Sequence, residues 1–412
     1  MLNGRALKFG VPYELRSANS MMEEYQMKHS PTPLCFIVNC DYNAIGGAMT
    51  RFRTEVEYFS SKGHYVAVIY SSYGRERFFR KGKADFYNIR HIRRLPILYQ
   101  ARLLFKCLKL RLFKKQLIFI VHEPISLIPP ALLRFIGLRP KTVLIMHGPM
   151  AIETFLRGNK TIAAFLSIID RVAFRLAGKI VAVSEYERNY AIRLKTDPRK
   201  IAIIRNGIEF STLTDRNSFR KEMRISPDKL TVGYIGSIAA YRGVDYLVEG
   251  FSIAKAETGL PLALVLVFRE EPTEEQKEKI KDMTGSNYDD IYISKPMKNV
   301  SPVLSALDIY ASHFSRKVDG IGFSIMEAMG SALPVITGKD EITDALLKDG
   351  SDAILVDKEN PRQIAEAIRK LASDAPLRAK IGKRARETAM NEFSRSRMLA
   401  LCEQEYLDGP SN

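Results

Sequence analysis

Two carboxylates eight residues apart open the functional reading: Asp319 and Glu327, in Asp319-Gly-Ile-Gly-Phe-Ser-Ile-Met-Glu327. The stretch reads as a glycine loop, a helix and then a strand, so both carboxylates can face one cleft. Gly320 and Gly322 allow a ligand to approach the backbone closely. Free N–H groups at the helix start, near Phe323 and Ser324, suit a phosphate. A carboxylate such as Glu327 can accept hydrogen bonds from both hydroxyls of a ribose. The same residues also describe a capped surface helix, whose start favours carboxylates through the helix dipole.

In the first half, Asp41-Tyr-Asn-Ala-Ile-Gly46-Gly47 directly follows an apolar run. A Gly-Gly pair at a strand-to-helix turn lets backbone N–H groups approach a diphosphate or a sugar. Most such pairs are turns and nothing more. Thr142-Val-Leu-Ile-Met-His147-Gly148 ends a buried run in a histidine. At the carboxyl end of a parallel strand its side chain points into a crevice. His122 ends the preceding strand in the same way and is a second candidate. Ser184 and Asn206 are further cleft contacts, although Asn206-Gly207 is mainly a turn signal.

These residues need strands and helices to hold them. Short continuous apolar runs occupy 34–38, 64–70, 117–121, 142–146, 179–183 and 201–204. The pattern restarts at 231–236 and continues with 262–268, 291–294, 309–312, 334–336 and 353–356. Helical stretches intervene, at 48–61 in the first half and at about 243–257, 273–283, 300–306, 323–331 and 361–372 in the second. Such alternation implies parallel sheets covered on both faces. The polar stretch 209–229, with Pro227, is the natural linker. The expectation is two doubly wound α/β domains with a crevice between them, where ligands bind beyond the carboxyl ends of strands.

The bulk composition fits this picture. A chain of 412 residues, 46% hydrophobic and 26% charged, has room for two cores. Its formal charge of +17 favours anionic partners: nucleotide phosphates, acidic lipid surfaces or nucleic acid. The four cysteines, Cys35, Cys40, Cys107 and Cys402, lack metal-ligand spacing and read as reduced structural thiols. No secretory signal and no apolar run of about 18 residues is visible, so a cytoplasmic protein with at most peripheral membrane contact is expected.

Between Arg75 and Lys115 many cations face only Glu76 and Asp85. Within that stretch Ile97, Leu98, Ala101, Leu104, Phe105, Leu108 and Leu112 recur at helical steps. A basic amphipathic helix can lie on anionic lipid, with Phe78 and Phe79 as wedges, or its apolar face can pack on the first sheet.

The Asp319–Glu327 stretch resembles the acidic motif region of retaining GT-B glycosyltransferases of family 4, with Asp319 in place of a first Glu. Val232-Gly-Tyr-Ile-Gly236-Ser-Ile-Ala-Ala-Tyr-Arg242-Gly-Val-Asp-Tyr-Leu247 is similar to that family's first strand and loop of the carboxyl-terminal domain. Arg242 matches a lysine position, and Ser237-Ile238 stands where an arginine is usual. The glycine loop at Gly46-Gly47, His147-Gly148, Val181–Glu185 and Ile203–Glu209 match as well. The family's Gly-x-Gly after the second strand of that domain is absent, and Val267-Phe-Arg-Glu-Glu-Pro272 takes its place.

The resemblance implies a fold and a site. The fold is GT-B: two Rossmann-like domains, at 33–208 for the acceptor and 209–392 for the nucleotide-sugar. Residues 1–32 form a flexible extension, and a helix in 393–412 packs back on the first domain. His147, Asp319 and Arg242 carry catalysis. Gly46, Gly47, Gly236, Arg242, Gly322, Phe323, Ser324 and Glu327 bind the donor. Arg242 would take the charge that grows on the departing diphosphate. The implied reaction is retaining hexosyl transfer from a nucleotide-sugar to a glycan or polyprenyl-linked acceptor, in surface polysaccharide or glycoconjugate synthesis. It implies no cofactor, no obligatory metal and no specific nucleic acid; peripheral contact with anionic membrane at the inner face is the expectation that the basic stretch adds. Two rival readings are a catalytically inactive GT-B binding protein and a basic nucleic-acid-binding protein. Donor binding without turnover would mark the first, and salt-dependent oligonucleotide binding the second.

Overall fold

The computed structural model describes residues 31–407, except 45–46, 74–76, 91–95, 149–150, 152–153, 155–158, 211–213, 239–241, 298 and 317–319. Asp319, Gly46 and nearly all of the expected amino-terminal extension lie outside the described residues. Thr32 already belongs to the folded part: its N–H donates to Nδ1 of His64 at 3.1 Å.

The first sheet contains β1 (Leu34–Val38), β2 (Val66–Ser72), β3 (Arg77–Lys81), β4 (Ala84–Arg90), β5 (Ile118–Val121), β6 (Lys141–Met146), β7 (Lys179–Ala182) and β8 (Ile201–Ile203). Their spatial order is β3-β4-β2-β1-β5-β6-β7-β8. Every pairing is parallel except β3 with β4. The second sheet contains β9 (Leu230–Gly236), β10 (Leu262–Phe268), β11 (Ile291–Ser294), β12 (Ile309–Ser312), β13 (Val335–Gly338) and β14 (Ile354–Val356), in the order β11-β10-β9-β12-β13-β14. All of its pairings are parallel. In each sheet the order reverses beside its first strand, between β1 and β5 and between β9 and β12. Crevices form at such reversals.

Central strands read as unbroken apolar runs because both faces are covered. All five residues of β1 are buried, as are all seven of β10. Each large apolar side chain buried this way contributes about 1.5–3 kcal/mol relative to exposure. One face of the first sheet packs on helices Pro96–Phe113, Pro124–Leu132 and Lys160–Leu176, with Leu103, Leu127 and Phe174 in a shared core. The other face packs on helices Gly47–Ser61 and Arg395–Leu407, with Phe52, Phe59, Cys402 and Tyr406.

Several expectations are corrected or sharpened. The second strand runs from Val66 to Ser72, not 64–70: Gly63 turns left-handed at φ +91°, and His64 is taken up by Thr32. The cationic stretch begins with an antiparallel hairpin, β3–β4, around the left-handed Gly82. In it Phe79 stacks on Phe86 at 4.8 Å and Phe78 lies 5.1 Å from Tyr87, and both phenylalanines remain exposed. The following helix, for which lipid contact and packing on the first sheet were both open, packs on the sheet, with Leu104 and Leu108 half-buried against the core. Tyr99, Leu103, Cys107 and Leu110 enter the core, and Ile97, Leu98, Ala101, Phe105 and Leu112 are exposed. The stretch 209–229 likewise contains a helix, Arg216–Glu222, whose Phe219 is buried in the second lobe.

The chain leaves the first lobe after β8 and returns at Phe393–Arg395. The two crossings pair there. Ile208 N–H donates to the Phe393 carbonyl at 2.8 Å, and Arg395 N–H to the Ile208 carbonyl at 2.9 Å. A side chain at Gly207 would stand 2.7 Å from the Arg395 Cα. Replacing Gly207 by alanine is expected to force the crossings apart and cost roughly 1–3 kcal/mol. An unfolding midpoint unchanged in urea would refute this packing.

Candidate functional site

In the second lobe the site grows from three strand ends. β9 ends at Gly236, β10 leads into Arg269, and β12 into His313. Arg269 N–H donates to the Gly236 carbonyl at 3.0 Å, which holds the first two ends together. Gly243 is left-handed at φ +77°, and a Cβ there would lie 2.7 Å from the Ser315 nitrogen. This close approach brings the Arg242 loop against the chain that follows β12. The geometry at Gly236 is explained within the protein: its Cβ would meet the Tyr234 hydroxyl at 2.5 Å. Ser237, where the resemblance leads one to expect an arginine, donates to Glu270 at 2.6 Å.

His313 is a site residue that no motif marked. It is buried, left-handed at φ +64°, and its Nδ1 lies 2.6 Å from the Ser312 hydroxyl. Non-glycine residues adopt that conformation rarely, and cluster at functional sites when they do. Burial and then the neighbouring charges of Arg242 and Lys358 push its imidazole down to about 3. It is therefore neutral at physiological pH. Gly322 has no room for a side chain, since a Cβ would come within 2.7 Å of His313 Nε2.

The helix Phe323–Gly330 starts beside this group, with Gly322 at its N-cap. Gly322 has no side chain with which to cap it, which leaves the first N–H groups of the helix for another acceptor. Its glycine loop is anchored from below by Asp340. That carboxylate accepts from Gly320 N–H at 3.2 Å and pairs with Lys358 Nζ at 2.9 Å. Gly320 itself is left-handed at φ +86°. The Phe323 ring reaches the first lobe, 2.7 Å from where a Gly47 Cβ would be. Gly47 and Phe323 thus meet across the cleft.

Glu327 lies one turn into the helix. It lines a cavity of about 230 Å³ together with Ile208, Phe210, Asn299 and Val300. Burial pushes its carboxyl up to about 7, and the charge of Arg269 opposes that shift. Arg269 acts on both Glu327 and His313, which ties the carboxylate and the cations into one electrostatic group. It stands in the stretch that departs from the family's Gly-x-Gly, and a charged residue just beyond a buried strand was the only signal for it.

In the first lobe, His147 follows β6 and His122 follows β5. The two rings lie edge to edge, with centroids 5.1 Å apart and planes inclined by 18°, and His122 Nδ1 is 2.8 Å from His147 Nε2. Burial, followed by the proximity of His122 and Arg51, lowers His147 well below the ordinary imidazole range. It is neutral, so it can align a sugar hydroxyl but brings no positive charge. Glu123, next in sequence, accepts Asn39 N–H through both oxygens at 2.8 and 2.9 Å. Burial pushes it up to about 7 against that hydrogen bond. Ser184 caps the helix Glu185–Arg193, and Asn206 accepts from Arg51 at 3.3 Å. Both have a structural task.

Two facing Rossmann-like lobes with this cleft make a GT-B architecture. Residues 45–212 match Glycosyltransferase Family 4, and residues 215–388 match Glycosyl transferases group 1. The chain belongs to family 4 of the GT-B glycosyltransferases. Among its relatives is the capsular polysaccharide biosynthesis glycosyltransferase CapM of Staphylococcus aureus, 26% identical over 69% of this chain and 75% of that one. An uncharacterized glycosyltransferase of Methanocaldococcus jannaschii is 22% identical over 62% of this chain, and the match spans 65% of its length. Anabaena HepE, solved in complex with UDP and glucose, superposes with a TM-score of 0.71 at 16% identity, over 90% of this chain and 98% of that one.

Glu327 has a consequence for stability. Its folded value, about 7, exceeds the ordinary 4.5. Between those values the folded state holds a proton that the unfolded state releases, so stability falls as pH rises through the window. Glu327→Gln should raise stability by on the order of 1–3 kcal/mol at pH 8, with little effect near pH 4.5. Equal denaturation midpoints at pH 8 would contradict the buried carboxyl.

Proposed function

We propose that this protein transfers a hexose from a nucleotide-diphosphate sugar to a glycan or lipid-linked acceptor with retention of anomeric configuration. The context is the synthesis of surface polysaccharide or glycoconjugate. The observation that carries the reading is the grouping of Arg242, Arg269 and the uncapped helix start at Phe323 and Ser324, with Glu327 one turn further on. The capsular role of CapM and the UDP and glucose complex of HepE support the same class of donor and product.

In this reading Glu327 accepts the ribose hydroxyls, and the cavity toward Asn299 and Val300 takes the rest of the nucleoside. The diphosphate lies across the helix start. Arg242 and Arg269 take the charge that develops on it as the glycosidic bond breaks, in place of the usual pair of cations. A diphosphate oxygen on the leaving face accepts the proton of the incoming hydroxyl. We expect no obligatory metal, since two guanidinium groups carry the charge role. His147 aligns the sugar from the first lobe, and Asp319 and Gly46 retain their proposed roles near it. Closure of Gly47 on Phe323 excludes water.

The acceptor side is proposed to meet an anionic membrane. Ile97, Phe105, Phe135, Phe165 and Ile168 are 81%, 69%, 70%, 62% and 61% exposed. They come from the helical layer on one face of the first sheet. Helix Pro96–Phe113 contains Arg102, Lys106, Lys109 and Arg111 and no acidic residue. Apolar wedges among cations suit the headgroup region of anionic lipid. Among the described residues no helix is long and apolar enough to cross a bilayer.

The test is a panel of UDP-, GDP- and ADP-sugars, read as sugar-dependent nucleotide release without added metal. One donor should turn over, and Arg242→Ala should lower its rate by about 10²–10³. Glu327→Ala should lose most activity while staying folded. Full activity in both variants sinks the site assignment, and donor binding without turnover supports an inactive binding protein. Independently, the protein should sediment with vesicles containing phosphatidylglycerol and not with neutral vesicles. The triple change Ile97→Ser, Phe105→Ser, Phe165→Ser should release it, and retained sedimentation would place the contact elsewhere.

A further inference from the structure

Behind His147 runs a buried chain of polar groups that the proposed transfer does not use. His122 Nε2 lies 3.5 Å from Glu55 Oε2, with both side chains shielded from solvent. Glu55 Oε1 accepts from Arg51 Nε at 2.7 Å, and Oε2 accepts from the Tyr406 hydroxyl at 2.9 Å. Arg51 continues to the Ile204 carbonyl at 2.8 Å and to Asn206 at 3.3 Å. The chain therefore starts at the sugar side of the cleft. It ends at both interlobe connections: the outgoing segment after β8, and the returning helix Arg395–Leu407.

The direction of each proton in this chain follows from its far end. Arg51 is always charged, so its Nε–H can only donate, and Oε1 of Glu55 is an acceptor. Arg51 and His122 outweigh burial, the largest single influence, and keep the Glu55 carboxyl low, at about 2. An ionised Glu55 accepts only. Burial lowers His122 from its ordinary imidazole range, so the ring is neutral. With its Nε2 3.5 Å from an oxygen that only accepts, the tautomer that avoids opposed lone pairs carries the proton on Nε2. Its Nδ1 is then a lone pair. For the 2.8 Å contact between the two rings to be a hydrogen bond, His147 must donate from Nε2. That leaves Nδ1 of His147 without a proton, as an acceptor.

We propose that Glu55 and His122 are positioning residues that lock His147 in its Nε2–H tautomer. His147 then accepts a hydrogen bond from a hydroxyl of the bound sugar through Nδ1. The role toward sugar rests on the transferase reading given above; the tautomer does not. A buried carboxylate that sets the tautomer of a second group is a recurring device for orienting histidines at working sites. Here it acts through an intervening ring, and it attaches the sugar-facing histidine to the seam where the lobes join.

The experiment is a two-bond ¹H–¹⁵N correlation on the full chain labelled with ¹⁵N-histidine, with His147 assigned through His147→Gln. The wild type should show a protonated Nε2 and an unprotonated Nδ1 at His147. Glu55→Gln reverses the chain: Arg51 holds the amide oxygen, the amide nitrogen donates to His122 Nε2, and His147 should switch to Nδ1–H. Tyr406→Phe removes one donor but keeps the carboxylate, and should leave the tautomer as it is. If Glu55→Gln does not fold, the wild-type spectrum alone decides: a protonated Nδ1 at His147 overturns the lock. An unchanged tautomer in folded Glu55→Gln overturns it as well. The spectra are independent of turnover, so failure of the transferase reading leaves a distinct signature: the expected tautomers with no donor consumed. Where a donor turns over, His122→Phe should keep a ring at this place but remove the nitrogen that meets His147 Nε2, and lower kcat by about tenfold or more. An unchanged kcat would overturn the positioning role.

Discussion

The buried ion pair of Arg51 and Glu55 is the interaction on which the two-lobed architecture leans. Both side chains are completely shielded. Removing one partner of such a pair costs about 3–5 kcal/mol, because the other charge is left without compensation. Evolution accepts that vulnerability where the pair secures a particular arrangement, and here the arrangement is the seam. Arg51 holds Ile204 and Asn206 on the outgoing segment. Glu55 holds Tyr406 on the returning helix. Phe59 stacks on Tyr406 at 5.6 Å beside them. A single helix of the first lobe, Gly47–Ser61, thus carries the cleft-facing Gly47 at one end and both interlobe connections along its inner face.

The second lobe solves a different problem, which is to gather positive charge at a dry place. Lys358 is neutralised by Asp340, and that pair holds the Gly320 loop instead of contacting an anion directly. Arg269 directly follows the last residue of β10, and Arg242 stands in the loop between β9 and the next helix. His313 beside them is neutral because it is buried, and the charges of Arg242 and Lys358 add to that. The site is therefore electropositive toward the cleft, with a neutral floor. Such preorganised charge acts on a developing anion without reorganisation at the moment of reaction.

Much of this was legible in the sequence, and the parts that were not share a cause. β1, β5 and β10 are unbroken apolar runs, and strands covered on both faces announce themselves that way. The Asp319–Glu327 stretch marked the start of its helix because glycines and carboxylates occur at set spacing around it. The β3–β4 hairpin was hidden because Arg77, Arg80 and Lys81 on an edge strand look like a charged loop. The helix Pro96–Phe113 was seen, but its most regular apolar stripe is the exposed one, and periodicity cannot say which stripe meets the core. Arg269, His313 and Asp340 belong to no local pattern. Each acquires its role from a residue 20 or more positions away, as Asp340 does from Gly320.

Glu55 shows the limit most sharply. In sequence it is one of several charged residues on an amphipathic helix, and a charge there is ordinarily solvated. Its burial is decided by Tyr406 and Cys402, more than three hundred residues later, which close over it. A carboxylate in that position remains ionised because Arg51 and Tyr406 donate to it, with the His122 ring 3.5 Å away on a third element. The same enclosure makes the group informative. A charge costly enough to need three partners is retained where its direction matters, and its one open direction points through His122 to His147.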